Sequence, residues 1–243
     1  MMAAYGRTHQ GLVRADNQDH FLARPLDRGV WLVAVADGMG GAPGGREASQ
    51  RALEWVDRAM DGQARSVVEL EQIVKRVNHD LNAWPRQEPR LLGMGTTLTL
   101  AQVSGTEIAV VHVGDSRGYR LRGGRLERLT RDHAVAAELL ASGHITEAEA
   151  ATHPQRHVLT RALGPWNSVR LDLLVVPRLP QDRLLVCTDG LHGVLGEEEI
   201  EGILRRTRGM EAVERLIAEA LSHGGPDNVT VVLVEEDGDA DGR

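Results

Sequence analysis

With 42% hydrophobic and only 3% aromatic residues, a chain of 243 residues can bury one sizeable core built on Leu, Val, Ile and Ala. A net charge of −7 argues against a nucleic-acid surface or an anionic-membrane surface, both of which need clustered Lys and Arg. The single cysteine, Cys187, excludes an internal disulfide and a cysteine-based zinc cluster. No apolar run reaches the roughly 20 residues that cross a bilayer, and no signal-like segment opens the chain, so a soluble cytoplasmic protein is expected.

In chain order, a short strand is expected over 3–8. Asp16-Asn17 then suggests a turn, and Arg14 is a candidate anion ligand because a guanidinium fork matches phosphate oxygens. The run 30–36 is apolar without alternation, as in a strand buried on both faces, and it ends in Asp37 before a glycine-rich stretch, 38–45. That stretch fits neither phosphate cradle: counting from Gly38, the sixth position of a dinucleotide fingerprint is Pro43, and Arg46-Glu47 replaces the Lys-Ser/Thr of a P-loop. It reads instead as backbone passing close to a bound ion. Apolar spacing predicts helices over 46–60 and 67–84, the second stopped by Pro85. Strands are expected from 93 to 100 and from 107 to 113, and the second delivers Asp115. Gly123-Gly124 predicts a hairpin between strands 116–122 and 125–129.

From 132 to 161 the texture changes to short, Ala-rich, charged helical pieces with a weak apolar face, which fits a surface flap. His153 and His157 are four apart, but Pro154 and the absence of HExxH argue against a zinc pair. Strands at 169–177 and 183–189, helices at 197–206 and 210–223, and a closing strand at 228–236 complete the pattern. Residues 237–243 read as a disordered tail. Strand pairs followed by helix pairs indicate the α+β class rather than alternating βαβ units.

Asp37, Asp115, Asp189 and Asp227 all stand at borders of buried strands. Clustered carboxylates repel unless a cation neutralises them, and an oxygen-only donor set selects Mg²⁺ or Mn²⁺ over zinc. Two such ions can lower the pKa of a bridging water and aim it at phosphorus, so the residues by themselves point to metal-dependent phosphoester hydrolysis.

The ordered set Arg14-Ala15-Asp16-Asn17-Gln18-Asp19, Asp37-Gly38-Met39-Gly40-Gly41, Gly95-Thr96-Thr97, Gly114-Asp115-Ser116-Arg117, Leu129-Thr130-Arg131-Asp132-His133, Thr188-Asp189-Gly190-Leu191 and Asp227-Asn228-Val229-Thr230 resembles the metal-dependent protein phosphatases of type 2C. His153 to Gly164 resembles the flap of the bacterial branch. The resemblance covers about residues 6–236 and implies one catalytic domain, 1–236, with a flap at 132–164. It further implies a four-layer α/β/β/α sandwich, two stacked antiparallel sheets flanked by helices.

Functionally, the resemblance implies hydrolysis of phosphoserine and phosphothreonine in proteins, with two Mn²⁺ or Mg²⁺ ions per chain and a weaker third. Asp37 would bridge two ions, the Gly38 carbonyl would bind one, and Asp189 and Asp227 would complete a site. Asp19 would act through coordinated waters, Asp115 with Asp189 would hold the third ion, and Arg14 would hold the phosphate. The implied partners are phosphorylated proteins, a Ser/Thr kinase or its substrates, and the expected state is a monomer. Met39 stands where some relatives carry a histidine acid. Gly193 stands where many carry an Asp, so a weaker third site is expected. A catalytically weak regulatory module of the same fold and a hydrolase of small phosphoesters are the alternatives.

Overall fold

The computed structural model describes residues 1–39, 44–86 and 88–237. Gly40 to Pro43 of the glycine-rich stretch and tail residues 238–243 lie outside the described residues.

The chain opens with β1 (Met2–His9), β2 (Asp19–Pro25) and β3 (Trp31–Asp37). In β3 the unbroken apolar run buries both faces: Val33 and Val35 point between the sheets, and Leu32, Ala34 and Ala36 point toward helices. Those helices are α1 (Gly45–Met60) and α2 (Val67–Ala83). In α1 the stripe of Ala48, Ala52, Val56 and Met60 is buried at four-residue spacing. A capping box starts α2: Ser66 Oγ accepts from the Glu69 amide, and Glu69 Oε2 accepts from the Ser66 amide at 2.9 Å.

Next come β4 (Leu98–Val103), β5 (Glu107–Val113), β6 (Arg117–Arg122) and β7 (Arg125–Arg128). The expected strand from 93 begins only at Leu98, because Thr96 spends its backbone on single bridges to Gly38 and Leu163. The β6–β7 hairpin turns on Gly123 and Gly124, both with positive φ (57° and 79°), as a two-residue turn of this hand requires. Two short helices, α3 (Val135–Ala141) and α4 (Glu147–Thr152), follow. His153 caps the end of α4 in extended conformation, so His153 and His157 share no helix.

The remaining elements are β8 (Asp172–Pro177), β9 (Arg183–Cys187), α5 (Asp189–His192), α6 (Glu197–Arg206), α7 (Gly209–Ser222) and β10 (Val229–Glu236). β9 stops two residues short of the sequence expectation, and Asp189 opens a four-residue helix.

Two five-stranded antiparallel sheets result, in the orders β1-β10-β9-β6-β7 and β2-β3-β4-β5-β8. Val33, Val35, Val110, Val186, Val232 and Val234 meet between them. Outside, α1 covers the second sheet through Ala48, Ala52 and Val56 and α2 through Leu70, Val74 and Leu81, and α6 and α7 cover the first through Ile200, Val213 and Leu216. The architecture is the α+β, four-layer α/β/β/α sandwich. No helix among the described residues is long and apolar enough to cross a membrane.

Candidate metal centre

Strand ends from both sheets meet at one rim, and most of them carry a carboxylate. Asp37 is the last residue of β3, and Asp19, the first of β2, pairs directly opposite it. Asp115 follows β5 through Gly114, whose φ of 106° and close approach to the Thr97 side chain leave no room for a Cβ. Asp189 opens α5, and Asp227 lies two residues before β10. Asp37, Asp115, Asp189 and Asp227 line a single cavity of about 660 Å³, with Gly38 and Met39 in its wall and Arg14 at its edge.

The neighbouring motif residues hold this rim in shape. Thr97 Oγ1 accepts from the Asp37 amide at 2.9 Å, and Thr96 Oγ1 donates to the Asp37 carbonyl at 2.9 Å. Asn228 Nδ2 donates to the Gln10 and Asp16 carbonyls at 2.7 and 2.9 Å, and its Oδ1 accepts from the Gln18 amide at 2.9 Å. One side chain thereby ties the Arg14 loop to the start of β10. His192 Nε2 lies 3.0 Å from the Asp115 carbonyl. Gly190 packs so closely on the Asn228 carbonyl that a Cβ there would overlap it. Gly190→Ala is expected to cost about 3 kcal/mol or more, because backbone on both sides must shift. Urea unfolding of that variant measures it, and a loss under 1 kcal/mol would show that the rim yields easily.

Charge in this rim is poorly balanced. Burial first, then Asp19, Asp189, Asp115 and Asp227, push the Asp37 carboxyl well above its usual range. Asp115 is raised by burial and by Asp189. Burial raises Asp19 to about 7, against hydrogen bonds from Thr188 and Thr230 at 2.7 and 2.8 Å. Burial pushes Asp189 up too, but the neighbouring His157, His192 and Asp37 together outweigh it and leave its carboxyl below the usual range. Arg14 Nη2 donates to Asp227 at 2.6 Å, and burial still leaves Asp227 raised.

Residues 132–164 contribute Arg156, His157 and Leu159 to the cavity wall. Their base is anchored where Asp132 accepts from Arg117 at 2.8 Å and from Arg128. His157 Nδ1 reaches within 3.7 Å of Asp189. Sequence reasoning did not single out His157 for this cavity or His192 for the Asp115 turn, since neither sits at a strand end. Met39 lines the cavity with a thioether that has no proton to give, and Gly193 adds no side chain to it.

The donor set fits hard divalent cations. Asp19 Oδ1 and Asp189 Oδ1 are buried without a hydrogen-bond partner among the described residues, a costly arrangement for oxygens that nothing neutralises. A Cβ at Gly38 would overlap the Gly45 carbonyl, so the backbone there is pressed against the rim. Among the described residues no three Asp, Glu, His or Cys side chains close on one point as a preformed cage. Carboxylates spread around an open cavity match Mg²⁺ or Mn²⁺, which keep several waters, better than zinc.

The family model described as protein phosphatase 2C matches residues 6–233 of this chain. The chain belongs to the protein phosphatase 2C family. Across 250 aligned residues it is 38% identical to the serine/threonine phosphatase stp of Listeria monocytogenes, covering 100% of this chain and 99% of that one. The crystal structure of the Mycobacterium tuberculosis serine/threonine phosphatase PstP superposes with a TM-score of 0.89 at 38% identity, over 96% of this chain and 98% of that one. The PstP catalytic domain solved in complex with two manganese ions gives a TM-score of 0.86 at 37% identity, over 96% and 97% of the two chains. The protein phosphatase 2C sandwich thus accounts for the whole layered core, and its rim is where this chain gathers its carboxylates.

Proposed function

We propose that this chain is a Mn²⁺- or Mg²⁺-dependent protein serine/threonine phosphatase, a hydrolase of phosphoserine and phosphothreonine in proteins. The observation that carries the reading is the meeting of Asp37, Asp115, Asp189 and Asp227 in one cavity with Arg14 at its edge. The full-length likeness to named serine/threonine phosphatases supports it.

When bound, two ions supply an acidified water and neutralise charge on the phosphoryl group. Asp37 would be shared between them, the Gly38 carbonyl would serve one, and Asp189 and Asp227 would complete a site. Asp19 would hold waters of the shell from beneath, and Asp115 with Asp189 would face a third, weaker ion. Arg14 would exchange its Asp227 partner for the substrate phosphate, a better match for a guanidinium fork. In the overall reaction a water oxygen bonds to phosphorus, the bond from phosphorus to the serine or threonine oxygen breaks, and the freed hydroxyl takes a proton. Met39 cannot supply that proton. Residues 1–236 would act as one catalytic domain and 132–164 as its flap. The setting we propose is cytoplasmic and monomeric, opposing a Ser/Thr kinase.

The test is hydrolysis of a phosphothreonine peptide with Mn²⁺, with EDTA and by the Arg14→Ala variant. EDTA is expected to stop turnover. Arg14→Ala is expected to raise KM by about 10- to 100-fold, the loss of one charge-assisted phosphate contact. A protein that binds Mn²⁺ and turns over no phosphopeptide would be a binding module instead. For the third ion, calorimetric titration should show two Mn²⁺ sites and a markedly weaker third, because Gly193 has no carboxylate to offer. Three sites of equal affinity would contradict that.

A further inference from the structure

A second cavity lies at the opposite end of the first sheet. It measures about 310 Å³ and is lined by Arg183, Arg205 and Arg208 together with Leu121, Gly124 and Gln181. Arg183 opens β9 and Asp189 lies beyond its other end, so at least the length of that strand, roughly 15 Å, separates this cavity from the carboxylates. We propose that the arginine-lined cavity is an oxyanion site for a phosphate group, free or carried on a phosphoserine or phosphothreonine.

Arg183 is the built part of the site. Its side chain is only 4% exposed, and its Nη2 is buried with no hydrogen-bond partner among the described residues. Its Nη1 donates to the Leu204 carbonyl at the end of α6, and its Nε pairs with Glu235. Glu235 is itself buried, and its other oxygen accepts from the Gly209 amide at 2.7 Å. That one carboxylate is therefore committed to Arg183 and to the start of α7. Among the described residues Arg205 has only a long, exposed pair with Glu201 at 3.7 Å, an interaction of little worth in water. The Arg208 charge opposes that of Arg183, so an anion between them relieves repulsion as well as adding contacts. Gly124 packs against Arg205 at ordinary contact distance: a Cβ there would lie 3.5 Å from Arg205 Nε. Several guanidinium groups around a pocket this small match a phosphate dianion, which accepts forked hydrogen bonds on each oxygen.

Inorganic phosphate is titrated into the full chain loaded with Mn²⁺ and again in EDTA, followed by amide NMR shifts. In EDTA the repelling carboxylate rim holds no phosphate, so one metal-independent site is expected, with shifts at Gly123, Gly124 and Arg208. The double variant Arg205→Gln/Arg208→Gln changes exposed side chains only and should weaken that site at least about tenfold. Arg14→Ala should leave it intact. A phosphothreonine peptide, which EDTA protects from hydrolysis, forms the second arm. Tighter binding than inorganic phosphate assigns the site to a phosphorylated protein, and equal or weaker binding assigns it to free phosphate. No binding in EDTA, binding indifferent to the double variant, or binding lost in Arg14→Ala would overturn the proposal.

Discussion

Asp37→Asn is expected to abolish phosphopeptide turnover and, in the metal-free protein, to raise the melting temperature. The two effects share one cause. Asp37 is buried at the end of a rigid apolar strand and faces Asp19, Asp189, Asp115 and Asp227, so burial and repulsion both oppose its charge. Asparagine keeps the shape and removes the charge. The gain should be about 2 kcal/mol, or roughly 6 °C for a chain of this size. Bound ions are what that charge serves. Loss of the carboxylate that both ions would share should lower kcat at least about 1000-fold, near 4 kcal/mol at about 1.4 kcal/mol per decade. Activity with Mn²⁺ and calorimetric melting in EDTA read the two effects separately. A variant that melts lower than the parent in EDTA would show that Asp37 is structural, whatever its activity. Stability lost to a working site is the common trade in enzymes.

The metal-free protein should lose stability as pH rises above about 6.5, and Mn²⁺ should remove that loss. Burial raises Asp19 to about 7 and lifts Asp37 and Asp115 well above the ordinary 3.8. A raised folded-state value means that the native chain keeps protons which the unfolded chain has released. The stability so gained is complete below the unfolded value and is lost progressively as pH climbs to the folded one, for Asp19 between about 4 and 7 and for Asp37 and Asp115 over a range that extends well above 3.8. For Asp19 taken alone this is on the order of 4 kcal/mol. The buried histidines work in the other direction. Burial lowers His112 and His192 to about 4 and lowers His133 as well. Between about 4 and 6.5 the unfolded chain takes up protons that these native imidazoles refuse, which offsets the gain from the carboxyls and leaves the fall above 6.5 as the feature with one sign. Metal ions need the carboxylates ionised, so loading removes the alkaline loss and makes affinity fall as pH drops. Melting temperatures from pH 5 to 9, with EDTA and with Mn²⁺, test this. A metal-free melting temperature that rises from pH 6.5 to 8 would sink the account.

Much of this was legible in the amino-acid order. An apolar run of this length with no alternation reads as a strand buried on both faces, and Trp31–Asp37 lies at the centre of the sandwich. Its abrupt end in Asp37, repeated in related form at Asp115, Asp189 and Asp227, marked one rim before any fold was known. The pairing of Asp19 with Asp37 was not legible. β2 contains Arg24 and ends in Pro25, and it lies at a sheet edge with its residues half-buried, so it shows neither clean alternation nor a solid apolar run. α5 is four residues long, too short to show any helical period, so in the sequence Asp189 looks like the end of a strand. His157 reaches the cavity only because residues 132–164 fold back across it, a tertiary event that local spacing does not encode.

The Asn228 side chain, which joins Gln10, Asp16 and Gln18 to the first residue before β10, has a consequence for cooperativity. An arginine on a surface loop ordinarily fluctuates with that loop, whose local opening costs far less than global unfolding. Here the loop is riveted to a strand near the middle of a sheet, so Arg14 and the carboxylates belong to one cooperative unit. The groups that would grip phosphate and metal open together or not at all.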